Sequence, residues 1–234
     1  MRFDDIKMEE IKIKAIGHIE NDFVSKFGIP RQSGMIAGLK SRIVFEPEFR
    51  GEQAFRGLEG FSHLWLIWEF SENLEGGWSE MVRPPRLGGN KKMGVFATRS
   101  PFRPNPLGLS CVKIEGIEHI KNKGTVIHIS GADLMNGTPI FDIKPYIKYT
   151  DAIPDALSGF AEAEIELLEV DFPEDLLKKV PREKRENLIL VLKNDPRPSY
   201  QKDEDRVYAF EFGEMKVEFK VKEKTVKVVC INKA

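Results

Sequence analysis

Seven cations, Arg83, Arg86, Lys91, Lys92, Arg99, Arg103 and Lys113, fall in the window Met81 to Ile114, which contains no acid. Arginines set among prolines suit the gripping of a carboxylate or phosphate in fixed geometry, because the guanidinium fork is planar and its backbone is stiffened. Pro84, Pro85, Pro101, Pro104 and Pro106, with Gly88, Gly89 and Gly94, make the window a long rigid loop, and loops placed by a scaffold often bind ligands. The competing reading is a stiff, charged surface loop. A second acid-free stretch, Phe23 to Phe45, carries Lys26, Arg31, Lys40 and Arg42 and is expected to extend the same patch. Two acidic clusters lie outside these windows. Asp133-Leu134-Met135-Asn136-Gly137-Thr138-Pro139 joins a carboxylate to a strand turn, with Asp142 and Lys144 following. Asp195-Pro196-Arg197-Pro198-Ser199-Tyr200 holds an acid, an arginine and a phenol between prolines. A turn cap and a domain-docking loop are the structural alternatives.

Several standard signatures are absent. Gly89 to Gly94 has phosphate-loop spacing, but Val95 stands where lysine must follow. No G-x-G-x-x-G follows a strand, which removes the usual dinucleotide fold and the usual open-sheet methyltransferase. Gly108-Leu109-Ser110 runs into Val112 rather than glycine, so a nucleophile elbow fails. His18, His63, His119 and His128 are dispersed and read as structural residues rather than metal ligands. Cys111 and Cys230 form neither a disulfide framework nor a zinc motif, which points to a reducing cytoplasm. The opening segment is acidic, unlike a signal peptide, and no run approaches the roughly 18 apolar residues of a membrane helix.

These groups need a scaffold. The 234 residues are 41% hydrophobic and carry 36 Lys and Arg against 37 Asp and Glu, so bulk charge cannot hold a polyanion and any such ligand must meet a local patch. Eighteen of the 19 glycines and all three tryptophans lie at or before Gly159. That shift predicts a β-barrel domain over residues 1–160 and a small α+β domain over 161–234. Strands are expected at the alternating Ile11, Ile13 and Ala15, at Arg42 to Phe45, and in FSHLWLIWEF, GVFAT, LGLSCVKIEGIEH, TVIHIS and IFDIKPYIKY. FSHLWLIWEF also fits a buried helix, but its aromatic content favours strand. Asn122-Lys123-Gly124 and Asn136-Gly137 provide turns. Behind residue 160, AEAEIELLEV alternates like an edge strand, Phe172-Pro173-Glu174-Asp175 opens a helix, and Pro181 stops it and can begin the next. Leu188, Val191 and Leu192 form an apolar stripe, and VYAFEF, MKVEFKV and TVKVVCI predict a three-stranded sheet.

Ile16-Gly17-His18-Ile19, Pro30-Arg31-Gln32, Arg56-Gly57-Leu58-Glu59-Gly60-Phe61-Ser62-His63-Leu64-Trp65, Val82-Arg83-Pro84-Pro85-Arg86, Gly94 to Pro106 and Asp142-Ile143-Lys144-Pro145-Tyr146 follow one another in an order that resembles the TsaA-like (YaeB-like) family, with the Asp195 to Tyr200 motif like that of bacterial-type members. The resemblance implies a homodimeric, S-adenosylmethionine-dependent tRNA methyltransferase that acts on N6 of threonylcarbamoyl-adenosine 3′ of the anticodon. It implies a donor site at Pro30, Arg31 and Gln32, at Phe70 and Ser71, at Arg99, at Leu109, and at Asp133, Leu134, Met135 and Asn136. Members often carry histidine where this chain has Ser71, so backbone contacts are expected there.

The accepting nitrogen is urea-like and should lose its proton as it attacks, so a general base is expected, with Asp142 and Asp195 as candidates and Tyr200 as an alternative. Arg83, Arg86, Arg103 or Arg197 would meet the threonine carboxylate, and Lys26, Lys91 and Lys92 the phosphates. Asn105 and Lys144 complete the expected substrate side. No metal and no membrane are expected. The rivals are a non-catalytic RNA-binding barrel and a small-molecule methyltransferase of the same fold.

Overall fold

The computed structural model describes residues 11–162, 165–197 and 203–234. Pro198, Ser199 and Tyr200 therefore lie outside the described residues, as does the side chain of Arg86.

Six strands build the first unit: β1 (Gly17–Glu20), β2 (Lys40–Phe45), β3 (His63–Glu69), β6 (Leu107–Ile120), β7 (Gly124–Ser130) and β8 (Pro139–Pro145). A two-stranded hairpin, β4 (Met81–Val82) and β5 (Met93–Gly94), rises from the long β3–β6 connection. The six run in the order β1-β2-β7-β6-β3-β8, and β8 pairs back onto β1, so the sheet closes into a barrel. The aromatic run is a strand: in β3 every second residue, Leu64, Leu66 and Trp68, points into the core, the period of a half-buried strand. β6 serves two neighbours. Its first half pairs with β3, its second with β7, and a bulge between Ile114 and Gly116 bends it between them. Ile19, Ile43, Leu64, Leu66, Ile127 and Ile140 fill the interior and are inaccessible to solvent. At the β6–β7 turn Asn122 and Gly124 both take positive φ, as the sequence requires of them.

The second unit is a sheet in the order β10-β11-β12-β9, from β9 (Glu169–Asp171), β10 (Tyr208–Phe212), β11 (Met215–Lys222) and β12 (Thr225–Lys233). It is covered by helix α3 (Arg182–Lys193), whose Leu188, Val191 and Leu192 lie in its core. Each such side chain contributes about 1.5–3 kcal/mol by leaving water. The shorter helices are α1 (Lys148–Asp151) and α2 (Glu174–Lys179).

The expected strands differ from these in four places. Residues 11–15 alternate but form no strand; Ile11 and Ile13 are exposed, and pairing begins where Ile16 donates to the Ile140 carbonyl at 2.8 Å, just before β1. GVFAT contributes only Gly94 to a strand, then turns through a short 3-10 helix, Val95–Ala97. Among the described residues of AEAEIELLEV only Glu169 and Val170 are in a strand; β9 continues through Asp171 and adds a fourth, parallel member to the predicted three-stranded sheet. IFDIKPYIKY stops at Pro145, past which the chain enters α1.

The segment between β1 and β2, residues 21–39, belongs to the barrel in sequence and to the second core in space. Its Phe23, Ile36 and Leu39 are buried among Leu188, Phe210 and Phe212, with Phe23 edge-on to Phe212 at 5.5 Å. Polar bonds fix it there: Lys184 to Asp22 at 2.7 Å, the Gly213 amide to the Asp22 carbonyl at 2.7 Å, and Asn187 Nδ2 to the Gly38 carbonyl at 2.8 Å. On its other side it donates from Gly34 to the Gly131 carbonyl at 2.8 Å and accepts from Asn136 at Phe23 at 2.7 Å. Among the described residues no helix is long and apolar enough to cross a membrane.

Candidate functional site

A cleft of about 520 Å³ opens where five separated segments converge. Lys26 to Gln32 form one wall, Trp68 to Asn73 a second, and Thr98 to Arg103 a third, while Leu107 to Leu109 and the Asp133 to Thr138 turn make the floor. Both acid-free windows therefore meet at one place. Of the residues expected at a donor site, Pro30, Arg31, Gln32, Phe70, Ser71, Arg99, Leu109, Asp133 and Met135 line this cleft. Leu134 and Asn136 do not: Leu134 is buried in the barrel core, and Asn136 accepts from the Asn21 amide at 3.0 Å and braces the turn.

The floor depends on a missing side chain. Trp68 of β3 stands directly opposite Gly108 of β6, and a β-carbon at Gly108 would come within 2.1 Å of the indole. With glycine there the ring lies flat across the strand, 4.3 Å from the Phe70 ring centroid, and donates from Nε1 to the Ser110 hydroxyl at 2.9 Å. Ser110, inaccessible to solvent, donates in turn to Asp133 Oδ1 at 2.5 Å. Burial pushes the Asp133 carboxyl above the usual carboxylate range; the Ser110 hydroxyl, the amides of Asp133 and Ser33 and the charge of Arg99 offset this only in part. Sequence reading missed Trp68 and Ser110. The register of the aromatic strand against Gly108 was the available signal.

The walls are cross-braced. Arg99 donates to Gln32 Oε1, and Gln32 Nε2 reaches the Arg31 carbonyl at 2.5 Å, so two of the expected segments hold each other across the cleft. Lys26 donates to the Glu72 carbonyl at 2.9 Å. Arg103 is turned onto its own loop, to the carbonyls of Thr98 at 3.0 Å and Ser100 at 3.2 Å, which gives it a loop-bracing task. Glu69 and Glu72 also face the cleft and had no sequence signal.

The remaining expected residues are elsewhere. Arg83, Lys91, Lys92 and Asn105 are exposed on the β3–β6 connection away from the cleft walls. Asp142 sits on β8, paired with Lys144 at 2.9 Å, and neither lines the cleft. Asp195 and Arg197 stand in a second, adjoining cavity. Asp195 is not a free carboxylate: Arg197 grips it with Nε at 2.8 Å and Nη2 at 2.9 Å. His18, His119 and His128 lie beside acids, His128 to Glu118 at 3.0 Å being the tightest, while His63 meets the Ser62 hydroxyl at 2.8 Å, and among the described residues no His, Cys, Asp and Glu cluster could hold a metal.

Comparison with known proteins gives a consistent picture. The family model for the tRNA-methyltransferase O N-terminal domain matches residues 18–152, and that for the TrmO C-terminal domain matches residues 165–234. The chain is 39% identical over 223 residues to the tRNA (adenine(37)-N6)-methyltransferase of Escherichia coli K12, covering 92% of this chain and 94% of that protein. It is 46% identical over 162 residues to the protein of the same name from Eikenella corrodens, 69% of this chain and 91% of the other. A crystal structure of TrmO from Pseudomonas aeruginosa superposes with a TM-score of 0.79 at 29% identity, covering 98% of this chain and all of that one.

Proposed function

The chain belongs to the tRNA-methyltransferase O family, and from that premise we propose how its cleft works. The protein is an S-adenosylmethionine-dependent tRNA methyltransferase that methylates N6 of adenine 37. The observation that carries the site assignment is the convergence of Pro30 to Gln32, Phe70 and Ser71, Arg99, Leu109 and Asp133 on one cleft.

The cleft suits the methyl donor on its own chemistry. Its volume is that of a small-molecule site; Trp68, Phe70, Leu109 and Ile29 supply apolar surface, Arg31 and Arg99 can meet a carboxylate, and the half-buried Asp133 can accept from ammonium or hydroxyl groups. When bound, the donor supplies an electrophilic methyl carbon. The protein's own task is then positioning: Trp68, Ser110 and Asp133 fix the floor, Gln32 and Arg99 hold the walls together, and the apolar surfaces exclude water.

We take the substrate base to be threonylcarbamoyl-adenosine in the anticodon loop, whose added carboxylate gives an arginine a planar partner. Such a loop presents its base by unstacking rather than by melting a duplex. Asp142 is paired with Lys144 outside the cleft, which argues against it as the proton acceptor within one subunit. We further take residues 1–160 and 161–234 as the two domains, which the two separate hydrophobic cores support, and the cytoplasm as the place of work. A homodimer is supported by apolar side chains left exposed on the first unit, Phe96 at 74% and Tyr149 at 90%. Methyl transfer from labelled donor to tRNA with and without the threonylcarbamoyl group tests the reading. Transfer to the modified tRNA alone is expected; equal transfer to both would overturn the choice of base, and transfer to neither would overturn the assignment of the reaction.

A further inference from the structure

Two of the three tryptophans have partners. Trp68 donates from Nε1 to Ser110 at 2.9 Å, and Trp65 donates to Asp151 Oδ2 at 3.0 Å with the Tyr146 ring centroid 5.9 Å away. Trp78 is different: it is 55% exposed, and among the described residues no hydrogen bond, ion pair or ring contact engages its side chain. Its backbone, by contrast, is held on both sides. Before it, Gly77 closes the short 3-10 helix Ser71–Gly76 at φ 60° and ψ −172°, a conformation essentially confined to glycine. A β-carbon at Gly76 would meet the Phe102 ring at 3.0 Å, so this turn packs against the cleft wall to which Pro101 and Arg103 belong. After it, the Ser79 amide donates to the Phe102 carbonyl at 3.1 Å and the Val95 amide to the Glu80 carbonyl at 2.9 Å, which ties the turn to the β4–β5 hairpin. Leu74 and Phe102 are exposed apolar side chains of the same turn and wall. Exposed apolar surface beside a ligand cleft marks an interaction site.

We propose that Trp78 is a stacking platform for an unpaired base of the tRNA anticodon loop, next to the base that enters the cleft. This rests on the methyltransferase reading and adds to it a residue that holds a neighbouring nucleotide. Single-stranded loops are recognised by stacking splayed bases on aromatic rings, and two features of the surroundings favour a base as the occupant. Glu75 and Glu80, exposed on either side of Trp78 in the chain, disfavour a phosphate at the ring and leave its face to a neutral partner. Arg83, Lys91 and Lys92, exposed on the same connection within the acid-free window, supply the charge complementarity that a strand running past the ring requires.

The test uses the full-length protein, labelled S-adenosylmethionine, and tRNA carrying threonylcarbamoyl-adenosine, either intact or with a single abasic site on the 5′ or the 3′ side of the target base. Trp78→Ala should raise KM for intact tRNA about tenfold, the loss expected of one stacked base, with a smaller change in kcat and an unchanged melting temperature. Trp78→Phe should keep most of the affinity and Trp78→Leu should not, since an apolar side chain without a ring offers no stacking face. The slope of log KM against log salt should stay at the wild-type value, because no phosphate contact is removed. On one of the two abasic tRNAs the Trp78→Ala penalty should vanish, which identifies the stacked base. Without turnover, tRNA should quench the fluorescence that the wild type has in excess of Trp78→Phe. Unchanged KM in Trp78→Ala, equal KM for the Phe and Leu variants, or a penalty that persists on both abasic tRNAs overturns the platform. So does a Trp78→Ala protein that sediments as a smaller species than the wild type, which would make this surface a contact between copies of the chain. No transfer by the wild type to intact tRNA would instead strike at the methyltransferase reading.

Discussion

Replacing Gly108 by alanine introduces one methyl group into the floor of the cleft, and the structure sets its cost. The new carbon would lie 2.1 Å from Trp68 Cε2 and 2.3 Å from Cζ2, well inside van der Waals contact. The indole is 7% exposed and has the Ser110 hydroxyl on its Nε1, so it cannot move aside without breaking that bond. Overpacking of this kind costs about 1–3 kcal/mol, and a lost buried hydrogen bond about 0.5–1.5 kcal/mol more. In a chain of this size the sum, roughly 2–4 kcal/mol, lowers Tm by about 5–15 °C. Because Ser110 also donates to Asp133, donor affinity should fall at least about tenfold, read by calorimetric titration of S-adenosylmethionine. Ser110→Ala separates the two effects: it removes the relay without the clash and should weaken donor binding with a smaller loss of Tm. Combining Gly108→Ala with Trp68→Phe should recover part of the melting loss, since residues in contact couple. If Gly108→Ala melts and binds donor as the wild type does, the account of the floor is wrong.

Three further outcomes follow from the same contacts. Asp133→Asn should raise Tm at neutral pH while weakening donor binding: burial lifts this carboxyl, so its charged form costs stability as pH rises through and above the ordinary carboxylate range, and the gain should vanish on acidification below about pH 4. Glu20 has the opposite sign. Burial raises it, but hydrogen bonds from Lys123 and Arg42 outweigh that and hold its carboxyl below the usual value, so Glu20→Gln should lower Tm at neutral pH by an amount that closes as pH falls past the usual glutamate range. Gly28→Ala, at φ 85° and with a β-carbon 2.5 Å from the Phe210 ring, should cost about 1–3 kcal/mol in denaturant melts and weaken donor binding through the adjoining Pro30 to Gln32 loop; unchanged binding would show that the loop keeps its place without this contact.

The sequence made the aromatic strand, the acid-free windows and the helical stripe legible because each is a local pattern that the structure keeps. β3 is the strand its aromatic content indicated, and Leu188, Val191 and Leu192 are buried together. What it withheld is non-local. Alternation at Ile11 to Ala15 promised a strand that no neighbour is placed to pair with. The parallel pairing of β9 with β12 joins residues more than fifty apart, and nothing in either stretch announces it. At the site, arginines were countable but their partners were not: Arg103 lines the cleft while bonding its own loop, and Asp195 is bound by Arg197. Pro30 to Gln32, Arg99 and Asp133 were expected at a donor site from the family resemblance alone, and in the structure they share one cleft.

Residues 21–39 leave the barrel, bury Phe23, Ile36 and Leu39 in the neighbouring core and return, carrying Pro30 to Gln32 as they go. The loop proposed to hold the donor is thus tethered at a distance from the barrel sheet. Cutting the chain near residue 160 would strip those three side chains of their cover and leave the loop hanging, so the isolated front half should be a sticky, poor binder rather than a minimal enzyme. Conversely, donor binding at this loop should raise the melting of both halves together, since the loop's foundation lies in the other half.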